Sequence, residues 1–389
     1  MKIEALHCWP SWPRYGELEQ VEVARVVSTN QIYADREVVE FEHAFSDYQE
    51  SKYSVGVGNA TQGLHLALAA AGIGQGDEVI VTPCSWISSA SAVLMQNSIP
   101  IFVDIEGSTL GLNPELIERA ITKNTKAIIL VHLLGYPAQV EKIQEIAKSY
   151  GLILIEDGSH APGATVNGRK VGTFGDLGVF SLHQRKAIST GDGGVICTNN
   201  EDLASKLRRL RSFGDEELSY NYRMTEFSAV LGKIGLKNLD LDNNQRIAAA
   251  HQLANLLSGK GWVKVRLTPE NQRGVYHAIA LEFDLPTTIC SRILTTLLEL
   301  KLPVRKLGGP LNRHPHFAKT MEPARGYPWL HSNYTGYMRD HSYHDLDLPN
   351  AYKFTDGRLI ELYAHPGTEE KHLVELAGLL EHIVHQESN

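Results

Sequence analysis

The sequence predicts an α/β protein. A doubly wound, mostly parallel sheet occupies residues 1–245 together with an N-terminal arm, and a smaller C-terminal α+β domain occupies 246–389. Three observations predict this. Between residues 54 and 200, short apolar runs alternate with helix-like stretches, the pattern of buried strands joined by crossover helices. Beyond residue 270, another strand-like run and two helical stretches form a separate block. At 389 residues, the chain is long enough for a large domain with a full core and a smaller companion.

The elements follow in order. SVGV (54–57) is strand-like and leads into a helical stretch at 61–72. VIVTP (79–83), PIFVDI (100–105), AIILVH (127–132), LILIED (152–157), GVFSLH (178–183) and GVICTNN (194–200) read as buried strands. Helical stretches at 114–121 and 139–149 lie between them, and residues 202–212 and 225–259 also read as helices. The second block has a strand-like VYHAIALEF (275–283), a helix at 287–300 and a closing helix from Thr368 to His385. Residues 305–350 are rich in His, Tyr, Pro and Arg and poorly periodic; a loop this long is more often functional than idle. Arg305, Arg313, Tyr327, Trp329 and Tyr334 are its candidates for substrate recognition or a lid.

Composition narrows the function classes. The net charge of −8 argues against a nucleic-acid partner, because phosphate backbones select basic surfaces. Cys8, Cys84, Cys197 and Cys290 are far apart and form no C-x-x-C pair, which disfavours a zinc site or a disulfide framework and fits a reducing cytoplasm. The N-terminus lacks the apolar core of a signal peptide. No apolar run approaches the ~18 residues that would span a bilayer, so no membrane role is expected.

In a doubly wound sheet, ligands sit beyond the carboxyl ends of the strands, so the polar residues just after each apolar run are the site candidates. Gly58-Asn59-Ala60-Thr61-Gln62-Gly63 opens a helix with small residues, where free backbone N–H groups face an anion. It narrowly misses a dinucleotide fingerprint, and taken alone it reads as an ordinary helix start. Asp157 ends a strongly apolar strand; it is either a helix cap or a buried carboxylate able to pair with a protonated ring nitrogen. Lys186 follows the strand ending in Ser181-Leu182-His183 and precedes the turn Gly191-Asp192-Gly193-Gly194. It lies 186 − 157 = 29 residues after Asp157, room for one intervening strand and its connections. A lysine so placed is able to form an imine with an aldehyde cofactor if burial keeps its amine neutral. Ser181 is a candidate phosphate donor.

Four motifs in order carry a resemblance. VGVGNATQGLHLALAAAGIGQGDEVIVTP, IEDGSHAPGA, KVGTFGDLGVFSLHQRKAISTGDGGVICTNN and LSYNYRMTEFSAVLG resemble the DegT/DnrJ/EryC1/StrS family of sugar and aminocyclitol aminotransferases. YAHPGTEEKHL resembles the start of the family's C-terminal helix. The resemblance implies a fold-type I transferase that uses pyridoxal 5'-phosphate and works as a homodimer with shared active sites. It would transfer an amino group from an amino-acid donor, glutamate or glutamine, to a keto sugar, ketocyclitol or similar acceptor. Position by position, it assigns the imine to Lys186 and the ring-nitrogen contact to Asp157. His160 falls beside the cofactor's 3-oxygen, and Ala60, Thr61 and Ser181 at its phosphate. Trp86 matches the stacking aromatic, and Asn221 a phosphate ligand reaching in from the neighbouring subunit. Gly58 and Ala60 depart from the usual Ser and Gly of the phosphate loop, and Gly158 stands where Ala or Cys is commoner.

Each assignment has a plainer competitor. Trp86 reads equally as core, His160 as a structural histidine, and Asn221 as the cap of a helix beginning near Met224. The histidines at 314, 316, 331, 341 and 344 have irregular spacing and no cysteine partners, which disfavours a metal site. Two other functions stand beside the aminotransferase. A sugar dehydratase of the same fold has histidine where Lys186 stands, and a non-catalytic cofactor-binding regulator is free to lose Lys186 or Asp157; both residues are present.

Overall fold

The computed structural model describes residues 3–32, 35–213, 217–317 and 328–387. Along the chain the strands are β1 (Tyr53–Val57), β2 (Glu78–Val81), β3 (Ile99–Phe102), β4 (Thr125–Val131), β5 (Ile153–Asp157), β6 (Thr165–Val166), β7 (Arg169–Lys170), β8 (Leu177–Ser181) and β9 (Gly194–Thr198). β10 (Val263–Val265), β11 (Gln272–Arg273), β12 (Ile279–Phe283), β13 (Val304–Lys306) and β14 (Leu359–Leu362) complete the set.

Seven strands form one sheet in the order β1-β9-β8-β5-β4-β2-β3. β8, β5, β4, β2 and β3 run parallel to one another, and β9 runs antiparallel to both its neighbours. Helices cover both faces, so the central strands are apolar along their length: Val79, Ile80, Ile128, Ile129 and Leu130 have no exposed surface. The expected doubly wound sheet is present, and every apolar run read from the sequence between 54 and 200 falls on one of its strands.

The helix Ala60–Ala70 follows β1 directly. Its alanine- and leucine-rich sequence favours helix, and the Asn59 side chain caps it by accepting the Gln62 amide at 2.9 Å. The helices Glu17–Thr29 and Arg36–Gln49 were not apparent from the sequence. The second is held from outside: Glu226 is buried, and its carboxylate accepts the amides of Asp35 and Glu37, both at 2.7 Å, at that helix's positive end.

The long helix Glu226–Leu256 carries the chain from the large sheet to a four-stranded antiparallel sheet ordered β10-β12-β14-β13; the boundary expected at residue 245 falls inside this helix. The second sheet is accompanied by the helices Thr287–Glu299 and Glu370–Glu387. A three-stranded ribbon, β11-β6-β7, joins the two halves. Among the described residues, no helix is long and apolar enough to cross a membrane.

The described parts of the segment from 305 to 350, residues 305–317 and 328–350, are not a free loop. Trp329, Tyr334 and Tyr343 are among the largest fully buried side chains. The Trp329 indole donates to the Tyr343 hydroxyl at 2.8 Å, and that hydroxyl donates to the carbonyl of Pro100 at 2.7 Å. The Tyr334 hydroxyl donates to the fully buried Glu78 at 2.8 Å. Glu78 opens β2, at the end of the sheet opposite the strands' carboxyl termini. Trp329 and Tyr334 are therefore core anchors and not a lid; Tyr327 lies outside the described residues.

A Tyr334→Phe substitution would leave one oxygen of Glu78 without its donor. It should cost about 1–3 kcal/mol, read as a lower denaturant midpoint. Michaelis constants should stay unchanged; a raised acceptor KM would return Tyr334 to substrate recognition.

Candidate active site

The candidate site lies where β1, β5 and β8 end and β9 begins. Asp157 closes β5, with Val131 of β4 and Val179 of β8 as its register partners. Its side chain is 6% exposed; one oxygen accepts the Ser89 hydroxyl at 2.9 Å and the other the Ser159 amide at 3.1 Å. No helix follows Asp157, so it caps none. Ser89, which the sequence reading missed, lies in the helix Ser88–Met95 just after Trp86. Its spacing inside PCSWISSASAV was the available signal. The Trp86 ring is 66% exposed, which overturns the reading of it as a core tryptophan and leaves a face for a planar ligand.

A second corner forms around Gly194, which pairs with Val57 on one side and Ser181 on the other. This register brings the 58–61 loop and Ser181 together. A side chain on Gly194 would put its Cβ 2.7 Å from the carbonyl carbon of Asn59, so only glycine lets the two backbones approach. Asn59 takes the amides of Gln62 and Gly63. The amides of Ala60 and Thr61 have no intrahelical acceptor, which makes this helix start suited to an anion. The Thr61 hydroxyl is hydrogen-bonded to Ser88 at 2.7 Å, and the buried Ser181 hydroxyl accepts the His183 amide at 3.3 Å.

Two of the departures noted in the sequence, Gly58 and Gly158, have local explanations. A Cβ on Gly58 would lie 2.5 Å from the Gln62 side-chain oxygen, so a serine there would displace Gln62. A Cβ on Gly158 would lie 2.5 Å from the Phe180 ring, which fills the space a larger residue would need.

Lys186 sits at the end of a tight turn, its amide donating to the His183 carbonyl at 2.8 Å. Burial, opposed by Asp157 and Glu361 and aided by Arg305, lowers the basicity of its amine to about 8. The structure therefore brings Lys186 into electrostatic range of Asp157, 29 residues away, and of two residues on the second sheet.

His160 is buried and lies flat against His277, with ring centres 4.5 Å apart. Its Nδ1 accepts the Leu134 amide at 3.1 Å, so the neutral ring carries its proton on Nε2. Burial, with Lys186 and Arg305 nearby, holds it well below the usual histidine range. His277 lies inside the run VYHAIALEF; a lone histidine in an apolar stretch was the only trace of it. Tyr363 meets His277 edge-on at 5.3 Å.

The second sheet supplies a charged pair. Arg305 of β13 and Glu361 of β14 are register partners; their side chains form a hydrogen-bonded ion pair, and the Tyr363 hydroxyl donates to the same carboxylate at 2.8 Å. Arg313 instead stacks on Tyr352, 4.0 Å from its ring centre. Of the two arginines named from the sequence, only Arg305 appears among the charges acting on Lys186. Of the histidines of the same segment, His314 and His316 meet edge-on at 4.6 Å, and His341 lies flat on Tyr337 at 3.6 Å.

Asn221 is exposed and forms an isolated bridge with Ser212. It does not cap the following helix. That cap is Thr225, whose hydroxyl accepts the Ser228 amide at 3.2 Å.

Residues 13–357 match the model of the DegT/DnrJ/EryC1/StrS aminotransferase family. An L-glutamine:2-deoxy-scyllo-inosose aminotransferase of Streptomyces kanamyceticus is 34% identical, over 79% of this chain and 79% of its own. A GDP-perosamine synthase of Caulobacter vibrioides is 38% identical, over 69% of this chain and 72% of its own. The crystal structure of an aminotransferase from Psychrobacter cryohalolentis superposes with a TM-score of 0.86 at 28% identity, covering 98% of this chain and all of the other.

Competitive acylation of the full chain across pH should report Lys186 with a midpoint of about 8. Asp157→Asn removes an anion that holds the proton on the amine, so the midpoint should fall. Arg305→Gln removes a repelling cation, so it should rise. Both variants keeping the wild-type midpoint would mean that these charges do not govern the amine.

Proposed function

Because this chain belongs to the DegT/DnrJ/EryC1/StrS aminotransferase family, we propose that it moves an amino group from an amino acid to the keto carbon of a sugar or cyclitol, using pyridoxal 5'-phosphate held by Lys186. The observation that carries the proposal is the meeting, at one end of the sheet, of an amine of lowered basicity, a buried carboxylate and an anion-ready helix start.

The residues fit that cofactor. The amides of Ala60 and Thr61 and the hydroxyl of Ser181 suit its phosphate, with the Thr61 hydroxyl beside them. The exposed Trp86 ring offers a stacking face, and the neutral His160 presents an Nε2–H donor for its 3-oxygen. Bound there, the cofactor would supply an electron sink for the carbanion formed when the donor loses its α-proton. Asp157, oriented by Ser89 and the Ser159 amide, would hold the ring nitrogen's proton and so sustain that sink. Lys186, once released from the cofactor's carbonyl carbon, would carry the proton from the donor's α-carbon.

Glutamate or glutamine is the proposed donor, in line with the glutamine named for the Streptomyces relative. The proposed acceptor class is supported by the relatives' names, an inosose aminotransferase and a GDP-perosamine synthase. We assign Arg305 to an anionic or hydroxyl-rich part of a substrate. Its guanidinium is oriented by Glu361 while its side chain stays 41% exposed.

The test is a half-reaction. With cofactor and donor but no acceptor, each working site should release one keto acid and stop. Lys186→Ala should cut that release about a thousandfold, as loss of a proton-transferring group does, and borohydride should then trap no cofactor on the chain. Asp157→Asn should retain cofactor but release keto acid slowly. A wild-type adduct on a different lysine would overturn the assignment.

We further propose that two copies of the chain share each site, with Asn221 reaching the partner's cofactor phosphate. Its exposure and its absence from the helix cap support this. Mixing Lys186→Ala with an inactive Asn221 variant should restore one site in each heterodimer. No recovery after demonstrated subunit exchange would assign Asn221 to its own chain's site.

A further inference from the structure

The N-terminal segment lies almost wholly ahead of the residues matched by the family, which begin at 13, yet it touches Lys186 directly. Three aromatic residues at three-residue spacing each offer a polar atom to a different part of the site's surroundings. Trp9 donates its indole N–H to the carbonyl of Tyr363 at 3.1 Å. Trp12 donates its own to the carbonyl of Lys186 at 2.9 Å. The Tyr15 hydroxyl is hydrogen-bonded to that of Ser189 at 2.7 Å. Further back, the amide of Ala5 donates to Glu375 on the C-terminal helix at 2.7 Å. One short segment thus starts on the second sheet's helix, crosses the end of β14 and finishes on the loop that carries Lys186.

The ring of Trp12 is held in place on its own account. It packs against the Arg246 guanidinium, 5.0 Å away, and stacks on His365 at 6.2 Å. Arg246 is 3% exposed and comes from the long helix that joins the two sheets. The indole N–H is therefore a fixed donor. Lys186 is gripped from both sides of its peptide: the turn takes its N–H through His183, and Trp12 takes its carbonyl. A lysine amine rides on four rotatable bonds, so the place of its backbone decides which atoms it can reach.

We propose that residues 9–15 form a positioning strap, in which the Trp12 indole fixes the backbone of Lys186 and ties it to the second sheet through Trp9 and Tyr363. Trp12 is a positioning residue and touches no reacting atom. The proposal rests on Lys186 being the cofactor lysine.

The strap is tested by Trp12→Phe, which keeps a ring but loses the donor, with Trp9→Phe as the control. Replacing Trp12 by benzothienylalanine, which exchanges only the N–H for sulfur, serves if the phenylalanine variant does not fold. The first readout needs no cofactor: acetic anhydride labelling of Lys186 in the full chain across pH. With its carbonyl released, the Lys186 loop loosens and its amine gains water, so the midpoint should rise from about 8 toward the ordinary lysine value. Trp9→Phe, which frees the strap only from the second sheet, should move the midpoint less. The second readout is keto acid release from the donor, which Trp12→Phe should slow about tenfold, the scale of one lost hydrogen bond at a positioned group. An unchanged midpoint in both Trp12 variants would overturn the strap, as would an equal rise in Trp9→Phe, which would indicate general loosening. Borohydride trapping on wild type separates the two ideas: no adduct at Lys186 refutes the cofactor assignment, and the labelling midpoints still decide whether Trp12 positions the lysine.

Discussion

Successive side chains on a strand point to opposite faces, and at the end of β5 this forces two adjacent carboxylates into different surroundings. Glu156 is fully buried and accepts the amides of Gly172 at 2.7 Å and Gly175 at 2.6 Å. It also meets the equally buried His132 at 3.0 Å. The His132 Nδ1 accepts the Ala138 amide at 3.1 Å, so its proton lies on Nε2 and is donated to Glu156. A buried carboxylate lacking such partners would cost several kcal/mol. With them, Glu156 locks the rotation of the strand end, and Asp157 has to face the other way, toward Ser89 and Lys186. The rest of the site is arranged around that orientation.

Much of this framework was legible in the sequence because it is local. Apolar runs specify buried strands wherever they occur, and the order of those runs specifies which strand ends lie near one another in a doubly wound sheet. Asp157 and Ser181 close such runs and Lys186 follows one within a few residues, so a linear reading finds them. Thr61 is legible for the same reason, being tied to the start of the helix after β1. Trp86 was found only through its surrounding motif, since an isolated tryptophan reads as core and its exposure is a tertiary property.

What escaped the sequence is what the fold brings from far away. His277 stacks on His160 from 117 residues away (277 − 160), and Glu361 pairs with Arg305 only because β13 and β14 are neighbours. Trp12 meets Lys186 across 174 residues. None of these contacts leaves a periodicity or a spacing. The segment 305–350 misled in the opposite direction. Its aromatic and histidine-rich composition resembles a recognition loop, but Trp329, Tyr334 and Tyr343 use their polar atoms to satisfy buried partners at the far end of the sheet. Large amphipathic rings serve a core as readily as a site when their hydroxyl or N–H finds an acceptor, and composition does not distinguish the two uses.

The long-range contacts share one consequence, which concerns charge. The amine of Lys186 responds to four influences: its burial and Arg305 favour the neutral form, Asp157 and Glu361 the protonated one. Asp157 belongs to the large sheet, whereas Arg305 and Glu361 stand on adjacent strands of the small one. Because Arg305 and Glu361 are paired with each other, they act on the amine largely as a dipole whose effect depends on distance and direction. A small rotation of the second sheet would change that effect without altering any residue. The same rotation would pull on Tyr363, and through Trp9 and Trp12 on the carbonyl of Lys186 itself. The placement of the lysine and the charges acting on its amine thus both depend in part on the seating of the small sheet against the large one.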